Sequence, residues 1–389
     1  MPQSMNKINS HPKYIQTGFR ANVTAVWDLP TRAFHWSLVL SVAAALITGF
    51  ISPEWWMTTH VWAGYFIVML IVFRIIWGFF GPEYSRISSF VYSVRDTFSH
   101  VKGLFLLRPS HYMGHNPLGA LMIFVLFTTL VVITATGLVV LGGEENQGPF
   151  AGIIHYEFGY STKTYHLYFS LFLIFLVAVH LGGVIFESWV AKENLVKSMV
   201  TGNKIIKNNN PIPEQRKPKP ILASIAFGLI ILPVAGTLLV LFKLPPTGIR
   251  YMVQNETYLN ECGDCHQAYH PSLLPKSSWQ TIMFDLENHF GEDASLDKST
   301  NTDISRFLQK YASEAWETEA AARLRQISTT NPLRISRSPY WVKKHEDISN
   351  NIYKQNNIIS KSNCSACHSD ATNGTFLDEN IQIPKGKVK

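Results

Sequence analysis

Residues 165–187 read YHLYFSLFLIFLVAVHLGGVIFE, an apolar run with His166 near one end and His180 near the other. A helix needs about 20 residues to cross a bilayer core, so this run is long enough to span one. Fourteen residues turn a helix through about 1400°, within roughly 40° of whole turns, and lift it by about 21 Å. The two imidazoles therefore share one helix face at opposite membrane depths. Coordinating side chains inside a span are rare and usually functional. Two of them on one face predict two sites stacked across a helical bundle, where cofactors are commonly held between facing helices.

Four further apolar stretches, at about 33–52, 60–80, 117–141 and 221–243, are also long enough to cross. Roughly 30 polar residues precede the first, so no cleavable signal peptide is expected and that span should stay as an anchor. Basic residues set the orientation. Lys7, Lys13, Arg20 and Arg32 precede span one; Arg86, Arg95, Lys102 and Arg108 lie between spans two and three. Lys192, Lys197, Lys204, Lys207, Arg216, Lys217 and Lys219 lie between spans four and five. The opposite loops carry Glu54, then Glu144, Glu145 and Glu157 against Lys163 alone. The basic set is expected in the cytoplasm, which leaves residues from about 244 onward outside. Asn208 to Pro220 (NNNPIPEQRKPKP) is too polar and proline-rich to pack and reads as a linker.

His35 lies in span one and His60 opens span two. By depth His35 matches His180, and His60 matches His166, giving two bis-histidine sites. Arg74, fourteen residues beyond His60, reaches the cytoplasmic end, where it can pair with a propionate of an inner haem or snorkel to the interface. Gly49, fourteen residues after His35, would leave room for an outer porphyrin. His100, His111, His115 and His155 sit in loops and read as ordinary polar residues.

The C-terminal third contains Cys262-Gly263-Asp264-Cys265-His266 and Cys364-Ser365-Ala366-Cys367-His368, which use all 4 cysteines of the 389-residue chain. Cys-x-x-Cys-His is the attachment sequence for c-type haem: two thioethers fix the porphyrin and the histidine takes one axial position. A lone Cys-x-x-Cys also suits a redox or zinc half-site, and disulfides are a weaker alternative. Two complete copies with no cysteine left over favour haem. Haem c is attached outside the bacterial inner membrane, in agreement with the orientation read from the loops. The formal charge of +7 arises before residue 244, where 18 Lys+Arg face 10 Asp+Glu; the remainder has 16 against 17. No basic helix or aromatic–basic patch favours nucleic acid.

Val26-Trp27-Asp28-Leu29-Pro30-Thr31-Arg32-Ala33-Phe34-His35-Trp36, then His60-Val61-Trp62-Ala63-Gly64-Tyr65 and Phe73-Arg74-Ile75-Ile76-Trp77-Gly78, resemble prokaryotic cytochrome b561 and the b-type cytochrome subunits of nickel–iron hydrogenases. The resemblance covers about 20–190 and implies two non-covalent haems b on His35, His60, His166 and His180. A fifth span departs from that four-helix pattern, so direct hydrogenase docking is not implied. Cys262 to Pro275, His289-Phe290-Gly291-Glu292, Pro332-Leu333-Arg334-Ile335, His345 and Asn363 to His368 resemble the small dihaem cytochromes c, over about 258–384. That resemblance implies six-coordinate haems with His289 and His345 as distal ligands. From the residues alone His270, His289 and His345 compete for the two positions. His270, four residues after His266, ranks third because it cannot reach the opposite face of the same haem.

Together these observations predict an all-α chain: a cytoplasmic segment (1–32), a four-helix b561-like membrane domain (33–190), a cytoplasmic linker (191–220), a fifth transmembrane helix (221–243), and a mostly helical, loop-rich periplasmic dihaem cytochrome c domain (244–389). Helices are expected over Trp279–Phe290, which would set His289 on a rigid element, and over Ile304–Ile327. His345 follows Tyr340-Trp341, which can pack on a porphyrin. The expected role is transmembrane electron transfer through two haems b and two haems c in the bacterial inner membrane. The donor would be the quinol pool or a membrane dehydrogenase, and the acceptor a periplasmic cytochrome c-type protein. The rivals are an oxidoreductase acting on superoxide or a ferric chelate at the outer haem b, and a cytochrome b subunit of a hydrogenase-like complex. Electron carriage is favoured over stand-alone catalysis.

Overall fold

A computed structural model of the chain describes residues 22–52, 56–106, 112–206, 216–241, 252, 254–326 and 333–384. Lys7, Lys13, Arg20, Glu54, Arg108, His111, Lys207, most of the linker (208–215) and Pro332 lie outside the described residues. Five helices are long and apolar enough to cross a membrane: α1 (Leu29–Phe50), α2 (Met57–Phe80), α4 (Pro117–Gly143), α5 (Tyr156–Ala191) and α7 (Pro220–Leu241). They correspond to the five expected spans. Bulky side chains such as Leu40, Trp62, Phe175 and Leu229 remain exposed on them. In water such patches would aggregate; in lipid they are the solvated surface. The chain is an integral membrane protein.

The chain divides into two compact units, the first made of residues 1–39, 70–127 and 175–228, the second of 40–69, 128–174 and 229–389. In the first, β1 (Asn22–Ala25) pairs antiparallel with β2 (Asn203–Ile206). The pairing continues through the Gly202 carbonyl, which accepts from the Val26 and Trp27 amides. Gly202 has φ +85°, a left-handed conformation that suits glycine at the end of α6 (Leu195–Thr201). Asp28 is the polar node at the head of α1. Its carboxylate accepts from Thr31 Oγ1 (2.5 Å), Ser85 Oγ (2.6 Å) and Trp77 Nε1 (2.8 Å). Three donors on one half-buried carboxylate bind the head of α1 to α2 and its following loop through charge-assisted bonds. The short amphipathic helix α3 (Val94–Phe105) starts with a capping box between Ser93 and Asp96.

The second unit contains the cysteine-bearing part of the chain. Its elements are α8 (Glu256–Gly263), α9 (Lys276–Phe284), α10 (Lys298–Lys310), α11 (Glu319–Leu324), α12 (Pro339–Lys344) and α13 (Asn350–Tyr353), joined by 3-10 turns. Tyr258, Leu274, Trp279, Ile304, Phe307 and Leu308 form its main apolar core. The two helices expected here are both shorter. α9 stops at Phe284 because the Asn301 side chain takes the Met283 carbonyl (3.0 Å) and the chain turns through Leu286–Asn288. His289 therefore lies beyond a 3-10 turn rather than on a helix. The expected helix from Ile304 to Ile327 starts earlier, under the Asp297 cap, and breaks after Lys310. The Ser313 amide donates to Leu274, and Thr318 caps the separate helix α11.

Candidate haem-binding sites

His60 on α2 and His166 on α5 face each other in the second unit, with ring centroids 6.2 Å apart. Two imidazoles holding one metal ion at bonds of about 2 Å stand with their centroids roughly 6 Å apart. Both rings are oriented in the same way. His60 Nδ1 lies 3.0 Å from the Ala45 carbonyl and 3.3 Å from Thr48 Oγ1. His166 Nδ1 lies 3.1 Å from the Ile133 carbonyl and 3.1 Å from Thr136 Oγ1. A carbonyl accepts only, so Nδ1 carries the proton and Nε2 keeps its lone pair for a metal. Each threonine hydroxyl donates back to its own helix, at Ala44 and Val132 among others, which leaves its oxygen available to accept. A Cβ on Gly49 would stand 3.1 Å from the His60 ring, and one on Gly137 would stand 3.1 Å from the His166 ring. The residues fit a haem held by opposed imidazoles. α1 and α4 thus repeat one device, a carbonyl, then threonine three residues on and glycine four residues on. The sequence marks Gly49 by its spacing from His35, and Thr136-Gly137, which repeats Thr48-Gly49, is the matching signal for the other half.

His35 and His180 both belong to the first unit and lie close enough to interact electrostatically. His35 Nδ1 is buried without a hydrogen-bond partner. Arg74 is buried, with Nη1 donating to the Ser85 carbonyl (2.9 Å) and its guanidinium 5.2 Å from the Phe90 ring centre. His115 is more than an ordinary loop residue. It packs on Trp27 (4.6 Å) and Phe90 (5.1 Å), within electrostatic reach of Arg74, His180 and His35. Burial, and then Arg74 and Lys204, hold its pKa well below the usual histidine range. Its place after a loop segment concealed this role, since only the fold returns it to the histidine pair.

None of the four cysteines forms a disulfide. His266 stands 6.2 Å from His289, rings nearly parallel, and His368 stands 6.1 Å from His345. Each motif histidine thus faces one imidazole from a distant segment, at the same separation as the pair in the bundle. His345 Nδ1 lies 2.8 Å from the Trp341 carbonyl, and its ring stacks on Trp341 at 4.1 Å. His266 Nδ1 lies 2.8 Å from the Gln267 carbonyl. Burial lowers the pKa of His289, His345 and His368, which favours the neutral imidazole that metals require. The Gln267 side chain accepts from the Ser365 amide (3.2 Å), and Tyr269 donates to the Ser362 carbonyl (3.2 Å), so the motifs are adjacent. The donor set, two thiols and two opposed imidazoles at each motif, fits covalent haem. His270 points elsewhere. It is 3% exposed, accepts from the Ser272 amide through Nδ1, and meets Trp316 edge-on at 4.6 Å.

A model of the prokaryotic cytochrome b561 family matches residues 26–202, and a model of dihaem cytochrome c matches residues 258–376. The C-terminal part belongs to the dihaem cytochromes c, and the N-terminal part matches the cytochrome b561 family. Its b561 part is 27% identical over 217 residues to the probable Ni/Fe-hydrogenase B-type cytochrome subunit of Azotobacter chroococcum, covering 48% of this chain and 90% of that one. The corresponding probable Ni/Fe-hydrogenase 1 subunit of Escherichia coli is 25% identical over 210 residues, covering 46% and 88%. The dihaem part is 39% identical to a diheme cytochrome c from Rhodobacter sphaeroides, covering 33% of this chain and all of that one, with a TM-score of 0.29. A diheme cytochrome type c from Shewanella baltica is 33% identical, covers 34% and 94%, and has a TM-score of 0.28. The b561 part binds haem b and the dihaem part binds two covalent haems c. This protein transfers electrons across a membrane.

Proposed function

We propose that the protein takes electrons from the quinol pool or a membrane dehydrogenase and delivers them to a periplasmic cytochrome c-type acceptor. In this reading His35 and His180 hold one haem b, and His60 and His166 hold a second. Cys262, Cys265 and His266 with distal His289, and Cys364, Cys367 and His368 with distal His345, hold the two haems c. Arg74 would pair with a propionate at the His35–His180 site. The observation that carries the reading is the recurrence of opposed imidazoles, 6.1–6.2 Å apart, in both family-matched parts. Haem bound at such a pair supplies a one-electron iron couple whose potential depends on axial ligands and burial. The chain orients His60, His166, His266 and His345 through their Nδ1 contacts, clears space with Gly49 and Gly137, and keeps the second axial face closed to exogenous ligands.

The basic residues between spans support a cytoplasmic N-terminus and a periplasmic dihaem part, with the domain limits 1–32, 33–190, 191–220, 221–243 and 244–389. The relatives, probable Ni/Fe-hydrogenase B-type cytochrome subunits, support a second reading, a chain that wires a hydrogenase-like enzyme to the membrane. Purified protein in proteoliposomes, with its dihaem part outward, tests the first. Quinol added in the membrane should reduce haem b before haem c, and a soluble oxidised cytochrome c should then reoxidise both. Failure of quinol to reduce haem b, together with a stoichiometric copurifying hydrogenase, would replace it with the second.

A further inference from the structure

Away from the histidine pairs, three carboxylates of the second unit converge. Glu144 and Glu145 follow α4, Glu319 opens α11, and one oxygen from each lies within 4.8 Å of the others. They line a small pocket with Asn146 and Thr318. Glu144 is 3% exposed; Oε1 accepts from Lys163 Nζ (2.7 Å), while Oε2 is buried without a hydrogen-bond partner. Asn146 provides an observation independent of the acids. It is 5% exposed, its amide nitrogen donates to the Glu317 carbonyl (2.8 Å), and its Oδ1 is buried with no partner. A buried oxygen left without a donor is unfavourable, and a bound cation would relieve it.

Glu144, Glu145, Glu319 and Asp378 lie within electrostatic reach of one another, with Lys163 on Glu144 and Lys344 3.4 Å from Glu319. Every free acceptor is oxygen, with no imidazole or thiolate, which selects a hard cation that takes carboxylate and amide oxygens. We propose that Glu144, Glu145, Asn146 and Glu319 bind a divalent cation of the calcium class. The site would join the segment between α4 and α5 to α11, and so fasten the dihaem part to the b561 part through a metal. It would supply no redox chemistry of its own.

The test uses the full-length haem-loaded protein in detergent, treated with chelator and then titrated with calcium chloride alone. One equivalent of calcium should bind by calorimetry, and melting followed at the Soret band should move upward with calcium. At a free concentration of 100 times Kd, the folded-to-unfolded ratio should rise about a hundredfold. Glu145→Gln and Glu319→Gln should each weaken binding at least tenfold without changing haem content. The proposal is overturned if the unmodified protein neither binds calcium nor melts higher with it. It is also overturned if both variants bind calcium as the unmodified protein does.

Discussion

Substituting Gly137 tests the geometry of the bundle site directly. A Cβ there would lie 3.1 Å from His166 Cε1, so even alanine requires the ring to move a few tenths of an ångström. Metal–ligand distances tolerate about 0.2 Å, so Gly137→Ala should already weaken haem binding. Leucine adds three further carbons on the same side, and such overpacking costs about 1–3 kcal/mol. At 1.4 kcal/mol per tenfold this is a loss of about 5- to 150-fold in affinity. The two covalent haems provide an internal standard. Acid–acetone extraction followed by pyridine haemochrome assay should show Gly137→Leu losing half of its extractable haem, with covalent haem unchanged. Gly49→Leu should remove the same haem, and the double variant should lose no more, because both act on one site. Gly228→Leu is the control, since a side chain there meets nothing within 4 Å. Full extractable haem and an unchanged low-spin spectrum in Gly137→Leu would refute the assignment of His166 and its surroundings.

Three other outcomes are expected. His289→Ala or His345→Ala should each open one haem c to carbon monoxide, whereas His270→Ala should open neither; a carbon-monoxide-binding haem c in the unmodified protein would count against this ligation. His35→Ala and His180→Ala should remove one haem b, and His60→Ala and His166→Ala the other, so redox titrations showing the same haem absent from His35→Ala and His60→Ala would break the pairing. Burial pushes the His270 pKa down to about 4 from the usual 6.5, so the unfolded chain takes up a proton that the folded one refuses. Stability should therefore fall as pH drops from about 6.5 to about 4, by up to about 3 kcal/mol from this group, and level off below. His270→Gln should flatten that part of the melting profile, and identical profiles for the two proteins would exclude the effect.

Much of this protein was legible in its sequence because its decisive features are local. A span is a length of apolar residues, and haem c attachment needs only five consecutive residues, so neither depends on how the chain folds back. The spacing of His166 and His180 also follows from helical geometry alone. Candidate partners for them could be proposed because depth in a bilayer orders residues along one axis. The limits appeared wherever a residue depends on a distant segment. The end of α9 at Phe284 is decided by Asn301, whose amide competes for a helix carbonyl, and no local propensity records that contact. His270 and His289 follow their cysteine motif closely in sequence, yet one packs on Trp316 while the other faces His266. His115 looked like a loop residue until the fold brought it to Trp27, Phe90 and the His35–His180 neighbourhood. Glu145 and Glu319 are 174 positions apart, so only tertiary structure makes them neighbours. Covalent motifs and membrane spans are properties of consecutive residues, whereas ligand pairing, helix ends and buried charge depend on which surfaces the folded chain brings into contact.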